Sequence, residues 1–373
     1  MKEFILECLR KVIFLCFSRQ SKIKKKALFL SYDGKQYSDN PRAISEAFHL
    51  VFPDYEIVWY ITEKKSLSLV PEYVRVVQGR WLRFLQELST ARVFVTNTQL
   101  VEGIFKRKHQ FFVQTWHGDV SPKQILYSDE NFDGRMHLVI KDKKYTDLCV
   151  AGSKLGESVF HKSFFYGGKV LRSGMPRNDA LYDEKRREDL RKKFGFTGKK
   201  VFLYAPTFRD YDIDDFVVNL DLEAVLDTLG REEWVCVVRG HSNTKGVYIA
   251  SRDERIFNLS DYPDMTDILC VTDLLITDYS SSASDLALVG RPVVLYQPDI
   301  EEFSTRCRKL VYNFEESGFI VAYNMEQLKE VLRNYSLEEY RASDEKVIQT
   351  FDIVRNCKSA FDVCEYIKHK IQE

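Results

Sequence analysis

The sequence lacks the usual local signatures of nucleotide, metal and hydrolase chemistry. It contains no GxxxxGK[ST] loop, no GxGxxG turn, no HExxH helix and no GxSxG elbow, so no single motif declares a phosphate cradle, a dinucleotide site, a zinc protease or a serine hydrolase. No CxxC pair occurs among Cys8, Cys16, Cys149, Cys236, Cys270, Cys307, Cys357 and Cys364. Several lie in apolar runs and read as buried thiols of a reducing compartment rather than a disulfide framework or zinc site. There is no surplus of either charge, with 55 basic and 55 acidic side chains, which removes the global basic excess a nucleic-acid partner would favour. No apolar run reaches the roughly 20 residues that a spanning helix needs.

What is present is enough chain for two domains, 373 residues with 26 Phe and 20 Tyr, a composition that buries cores rather than staying disordered. Charge is balanced overall but not locally. Lys2, Arg10, Lys11, Arg19, Lys22, Lys24, Lys25 and Lys26 crowd the first 26 residues against only Glu3 and Glu7. Phe4, Ile5, Cys8, Leu9, Val12, Ile13 and Cys16 recur at helical spacing there, predicting an amphipathic helix followed by a polybasic collar. Lys11, Arg19, Lys22, Lys24, Lys25 and Lys26 are the expected contacts to anionic lipid. The alternative is a helix packed on the protein's own surface beside a solvated charge run. A cleaved signal peptide is disfavoured, because no small-residue cleavage site follows the apolar patch.

From residue 27 onward short β-branched and aromatic runs alternate with helical patterns, the signature of parallel α/β units. Strands are predicted at 27–31, 56–61, 74–77, 92–96, 111–115 and 148–151, with helices at 42–51 and 81–89. The pattern restarts with strands at 201–205, 234–239, 255–259, 274–277 and 292–296 and helices at 221–229 and 281–289. Gly174 and Pro176 punctuate the join before a charged helix at 183–194. The expected organisation is a basic membrane-associating segment at 1–26, a Rossmann-like domain at 27–180 and a second, with the C-terminal helices, at 181–373. Because parallel sheets bind ligands beyond the carboxyl ends of their strands, the chemistry is expected in a cleft between two facing sheets.

Five strand ends carry polar side chains suited to it. After 111–115 come Trp116, His117, Gly118 and Asp119; a histidine titrates near neutrality, which makes His117 the candidate general base, although read alone it is equally a capped core histidine. Gly174, Met175, Pro176, Arg177, Asn178 and Asp179 follow the segment at 170–173, with an interdomain turn and helix cap as the plainer reading. Pro206, Thr207, Phe208 and Arg209 follow 201–205, and Arg209 has the forked geometry that holds phosphate oxygens, unless it simply pairs with Asp210. Arg239, Gly240 and His241 end the next strand. Asp278, Tyr279, Ser280, Ser281, Ser282, Ala283, Ser284 and Asp285 follow 274–277, where hydroxyls and a helix start offer N–H groups to an anion; a plain serine cap is the alternative. Asp212 and Asp214 form a DxD-like pair in a charged loop and are read as solvated, so no metal and no cofactor is expected.

Taken together and in this order, Thr115-Trp116-His117-Gly118, Gly174-Met175-Pro176-Arg177-Asn178-Asp179, Tyr204-Ala205-Pro206-Thr207-Phe208-Arg209-Asp210 and Thr277-Asp278-Tyr279-Ser280-Ser281 with Asp285 resemble the CDP-glycerol glycerophosphotransferase family. The resemblance implies a GT-B fold of two Rossmann-like domains facing a cleft. It also implies transfer of glycerol phosphate from CDP-glycerol to a membrane-linked teichoic acid or capsular precursor at the cytoplasmic face of a bacterial membrane. His117, Arg209 and His241 would be catalytic, and Gly118, Pro176, Arg177, Asn178, Asp179, Thr207, Arg239, Ser280, Ser281 and Asp285 would surround the donor. Partners would be CDP-glycerol or CDP-ribitol, a lipid-linked saccharide or polyol-phosphate acceptor, and anionic inner-leaflet lipids, with no nucleic acid. The sequence departs from the family pattern at Asp119, where Thr is common, and is only loosely similar around His241. A GT-B glycosyltransferase using a nucleotide sugar, or an inert scaffold that kept the fold, are the competing readings.

Overall fold

The computed structural model describes residues 2–79, 81–100, 105–125, 136–209, 216–217, 220–230, 233–240, 247–249, 251–334 and 336–372. The chain forms two compact units, one of Met1–Asp119, Leu126–Asp179 and Asn356–Glu373, the other of Val120–Ile125 and Ala180–Arg355.

In the first unit, strands β1 (Lys24–Leu30), β2 (Glu56–Tyr60), β3 (Arg75–Val77), β4 (Ala91–Thr96), β5 (Phe111–Gln114), β6 (Leu148–Ala151) and β7 (Lys169–Arg172) make a parallel sheet of order β3-β2-β1-β4-β5-β6-β7 among the described residues. Successive side chains point to opposite faces, and the sequence fills both. Phe29, Trp59, Val93 and Val95 pack on one side, whereas Leu28, Leu30, Val58, Tyr60 and Phe94 pack on the other. Near-continuous apolar strands of this kind mark a sheet covered on both faces. Helices α1 (Lys2–Gln20) and α3 (Trp81–Thr90) lie on the second face, with Phe14 of α1 buried beside Phe84 and Phe105. Helix α2 (Asp39–Val51) lies on the first, while α4 (Met136–Tyr145) and α5 (Lys154–Ser163) complete the crossovers.

The final helix, Ser359–Gln372, was expected with the second domain but belongs to the first unit. Ala360, Val363, Cys364 and Ile367 bury their apolar side in the same cluster as Ile44, Ala47 and Phe48 of α2. Its start is fixed by Asp179, whose carboxylate accepts from the N–H groups of Ser359 (2.9 Å) and Ala360 (2.8 Å).

The strand expected from residue 27 begins three residues earlier, at Lys24. This takes Lys26 out of the surface collar. Its side chain is 3 % exposed and reaches Glu87 (2.5 Å) and Thr90, and burial pulls its ammonium below the ordinary value against the opposing pull of Glu87. Leu6, Leu9, Val12 and Leu15 of α1 are exposed instead, together with Leu82 of α3 and Ile140 of α4. Among the described residues, no helix is long and apolar enough to cross a membrane.

In the second unit, strands β8 (Lys200–Ala205), β9 (Phe216–Val217), β10 (Trp234–Val238), β11 (Val247–Tyr248), β12 (Ile256–Asn258), β13 (Leu274–Thr277), β14 (Val293–Tyr296) and β15 (Ile320–Ala322) form a main parallel sheet of order β12-β10-β8-β13-β14-β15 and a small β11-β9 pair. The parallel α/β architecture read from the sequence is therefore present in both units. Helix α6 (Glu184–Phe194) is bounded by two sequence signals. Asp183 caps its N-terminus, and Gly195, at φ 76°, ends it in the left-handed region that glycine enters without steric cost. Arg187 and Arg191 of α6 both grip Asp273, at 2.5 Å each, at the entrance to β13.

Candidate active site

Parallel strands deliver their carboxyl ends to one edge, and the strand order of the first unit reverses between β1 and β4, the point at which such sheets open a crevice. His117 lies there, two residues past Thr115 and next to Asn97, which follows β4. Its Nδ1 is 2.9 Å from the Asn97 carbonyl. A carbonyl only accepts, so Nδ1 carries the proton and the neutral ring keeps its basic lone pair on Nε2.

The turn bearing His117 is held on several sides. Gln114 bonds the Trp116 N–H through Oε1 (2.9 Å) and the Thr98 carbonyl through Nε2 (2.7 Å), tying the ends of β5 and β4 together. Asn40 donates to the Trp116 carbonyl (3.0 Å), and Arg177 donates to the His117 carbonyl (2.8 Å). Trp116 itself sits at φ 51°, a left-handed conformation that a bulky residue adopts only when its surroundings impose it.

Arg177 is buried, ion-paired to Asp39 at 3.2 Å, and its backbone N–H donates to Asn40 Oδ1 (3.1 Å). The Arg177 guanidinium, expected among the donor contacts, thus also reaches the histidine turn. Neighbouring positions divide in the same way. Gly118, Pro176 and Asn178 are buried at this edge, with Asn178 N–H on the Met175 carbonyl, whereas Asp179 is turned to the final helix and burial raises its carboxyl to about 6 despite the N–H groups of Ala360 and Ser359. Asp119, where the family commonly has Thr, accepts from Gly152 N–H (2.8 Å) at the N-terminal end of α5, a favourable place for a carboxylate. A Cβ on Gly156 would lie 1.9 Å from that carboxylate, so the placement of Asp119 demands glycine at 156.

The second unit builds its strand-end cluster around Arg209, between β8 and β13 where its own strand order reverses. Nε donates to Asp299 Oδ2 (2.7 Å), Nη2 to Asp278 Oδ2 (2.8 Å) and Asp299 Oδ1 (3.1 Å), and Nη1 to the Thr207 carbonyl (2.6 Å). The guanidinium also lies against the stacked rings of Tyr279 and Phe303, whose centroids are 3.7 Å apart. Burial opposes its charge, but Asp278 and Asp299 outweigh burial and raise its pKa. Asp278 further accepts from the N–H groups of Thr207 (2.8 Å) and Tyr279 (2.6 Å). One carboxylate therefore aligns the segments after both strands.

Arg239, after the adjacent β10, turns its Nη1 to the carbonyls of Leu259 and Tyr262. Ser280 bonds Ser282 at 2.9 Å, Ser281 precedes a short helix at Ser282–Ala287, and Asp285 is buried in its first turn. The Thr207 hydroxyl and Gln297 Oε1 are buried at the same edge without a partner among the described residues. His241, Asp210, Asp212 and Asp214 lie outside the described residues.

Sequence reading did not single out Asn40, Asn97, Asp39 or Asp299. Asp278 carried a signal, since it stands inside the Thr277–Ser281 motif. Asp299 meets Arg209 from 90 positions away, and nothing local distinguishes it.

The family model for CDP-glycerol:poly(glycerophosphate) glycerophosphotransferases matches residues 12–369. The chain is 28 % identical over 347 residues to the teichoic acid poly(glycerol phosphate) polymerase of Bacillus subtilis, covering 89 % of this chain and 46 % of that protein. It thus spans about half the length of that relative. It is 27 % identical over 395 residues to the teichoic acid glycerol-phosphate transferase of Staphylococcus aureus, covering 98 % of this chain and 99 % of that one. The fold is similar to that of the wall teichoic acid polymerase TagF, with a TM-score of 0.86 and 23 % identity, over 100 % of this chain and 96 % of that chain.

Proposed function

Because the chain belongs to the CDP-glycerol:poly(glycerophosphate) glycerophosphotransferase family, we propose that it transfers glycerol phosphate from CDP-glycerol to a hydroxyl of a membrane-linked teichoic acid or capsular precursor. His117 Nε2 takes the acceptor hydroxyl proton, the acceptor oxygen bonds the phosphorus that carries glycerol, and the P–O bond to CMP breaks. The observation that carries this reading is the Nδ1 contact to the Asn97 carbonyl, which puts the ring proton on Nδ1 and the lone pair of the neutral ring on Nε2.

Donor contacts are proposed for Gly118, Pro176, Asn178, Thr207, Arg239, Ser280, Ser281 and Asp285, with His241 acting beside them. The Thr207 hydroxyl, without a partner among the described residues, supports a ligand at that edge, since buried hydroxyls are rarely left unbonded. Arg209 is assigned the task of fixing the Thr207 and Tyr279 segments through Asp278 and Asp299, and Arg177 that of bracing His117. The two units are taken as the halves of a GT-B enzyme.

We also assign the chain to the cytoplasmic face of the membrane as a peripheral protein. Exposed Leu6, Leu9, Val12 and Leu15, interspersed with Arg10, Lys11 and Arg19 on α1, and exposed Leu82 and Ile140 on helices packed to the same sheet face, support an interfacial surface.

Incubation with CDP-glycerol and a synthetic lipid-linked acceptor tests the reaction. CMP release with acceptor extension is expected. CMP release from CDP-ribitol alone would change the polyol, and release of a nucleoside diphosphate from a nucleotide sugar would overturn phosphoryl transfer.

A further inference from the structure

Four of the backbone positions with positive φ that are not glycine, Tyr32 (46°), Asp33 (57°), Asp39 (62°) and Trp116 (51°), lie at the strand-end edge that carries His117. Each costs on the order of 1–3 kcal/mol and persists only where neighbouring bonds impose it. Those bonds form a closed circuit. His117 Nδ1–H donates to the Asn97 backbone carbonyl, and the Asn97 side-chain Oδ1 accepts from the Tyr32 N–H (2.9 Å). The Tyr32 hydroxyl donates to Asp39 Oδ2 (2.6 Å), Asp39 Oδ1 accepts from Arg177 Nη1 (3.2 Å), and the same Nη1 returns to the His117 carbonyl (2.8 Å). The Tyr32 ring also stands 5.4 Å from the imidazole, across from Trp116 at 4.2 Å.

We propose that Tyr32 and Asp39 are positioning residues for His117: the circuit fixes the ring's tautomer and aim, so that Nε2 meets the acceptor hydroxyl. The proposal rests on the reading of His117 as base. The physical reason is that the Asn97 carbonyl can select the Nδ1–H tautomer only while it stays in the ring plane, and Asn97 is placed by Tyr32. Tyr32 is in turn held in a conformation unfavourable to an aromatic residue by its bond to Asp39. Arg177 closes the loop by gripping both Asp39 and the carbonyl of His117 itself. A misplacement of the base by an ångström costs about 100-fold in rate, whereas donor affinity does not depend on it.

The test uses full-length Tyr32→Phe and Asp39→Asn with CDP-glycerol and a lipid-linked acceptor. Each is expected to lower kcat by about 10- to 100-fold while KM for CDP-glycerol changes less than about threefold. In protein labelled with 15N-histidine, the neutral His117 ring should show a protonated Nδ1 in the parent and a mixture of tautomers in both variants. Values of kcat within threefold of the parent, or an unchanged His117 tautomer in Tyr32→Phe, would overturn the proposal. Tyr32→Phe removes a single hydroxyl, so it decides the matter even where Asp39→Asn, which unbalances a buried ion pair, does not fold. His117→Ala separates the two levels. Retained turnover in that variant sinks the base assignment itself, whereas an inactive His117→Ala beside fully active Tyr32→Phe and Asp39→Asn sinks only the circuit.

Discussion

The two units place their most conspicuous strand-end side chains at equivalent points, where the strand order of a parallel sheet reverses, yet hold them by opposite means. His117 in the first is held directly by a neutral carbonyl, and its own carbonyl is taken by Arg177. Arg209 in the second is held by two carboxylates, three of its nitrogens already donating. The proposed role of His117 as base needs a neutral ring, which a carbonyl on Nδ1 favours and a carboxylate would oppose by favouring the imidazolium. A buried guanidinium never loses its charge and is tolerated only when paired. The neighbours thus distinguish a neutral ring from a permanently charged guanidinium, in keeping with the roles proposed for His117 and Arg209.

The largest expected effect breaks this contrast on the reactive side. His117→Ala should lower turnover by about 100- to 10,000-fold, read as CMP release, with little change in melting temperature or in CDP-glycerol affinity. Arg209→Met should do the reverse, leaving Asp278 and Asp299 unbalanced. A loss of about 3–5 kcal/mol, or roughly 10 °C in melting temperature, is expected, and Arg209→Lys should recover only part of it. Unchanged stability with lost donor affinity would instead make Arg209 a phosphate ligand.

A smaller effect sharpens the comparison through pH. Burial pushes Asp344 in the second unit up to about 8 and Asp142 in the first up to about 7, and each has one carboxylate oxygen without a partner among the described residues. A carboxyl whose pKa is raised on folding holds its proton longer in the native state than in the unfolded chain. Its favourable contribution is complete below the ordinary Asp range near 4 and fades as pH climbs to the folded value. Asp344→Asn should therefore flatten the decline in stability between about pH 4 and 8 and gain roughly 2 kcal/mol at pH 9, measured by urea unfolding across that range. The smallest effect concerns the surface of the first unit. Lys11→Ala should weaken binding to anionic vesicles about fivefold, near 1 kcal/mol, without altering turnover on a soluble acceptor; Lys26, already paired to Glu87, should not contribute through the same route.

Most of the sheet was legible because strands covered on both faces are written as uninterrupted Val, Ile, Leu and Phe; the stretch Leu148–Ala151 falls where its apolar run predicts. Strand β15 was missed. It is three residues long at a sheet edge, with only Ala322 fully buried, too short to show a period. Lys24 and Lys25 hid the start of β1, since exposed lysines at a strand entrance look like a surface run. His117, Arg177 and Arg209 were legible as residues of consequence, but Asp39 and Asp299, which pair with the two arginines, were not, because a guanidinium's partners are not encoded near it.

The sequence by itself determined the parallel α/β character, the family and the strand ends that carry polar chemistry, because periodicity, turn residues and motif order are local properties of the chain. Tertiary structure alone decided which nitrogen of His117 keeps its lone pair, which carboxylates claim Arg209, that Lys26 is buried and that the last helix returns to the first unit. Those outcomes depend on groups separated by tens to hundreds of residues, whose meeting is fixed by hydrogen-bond geometry and burial only once the sheets have formed.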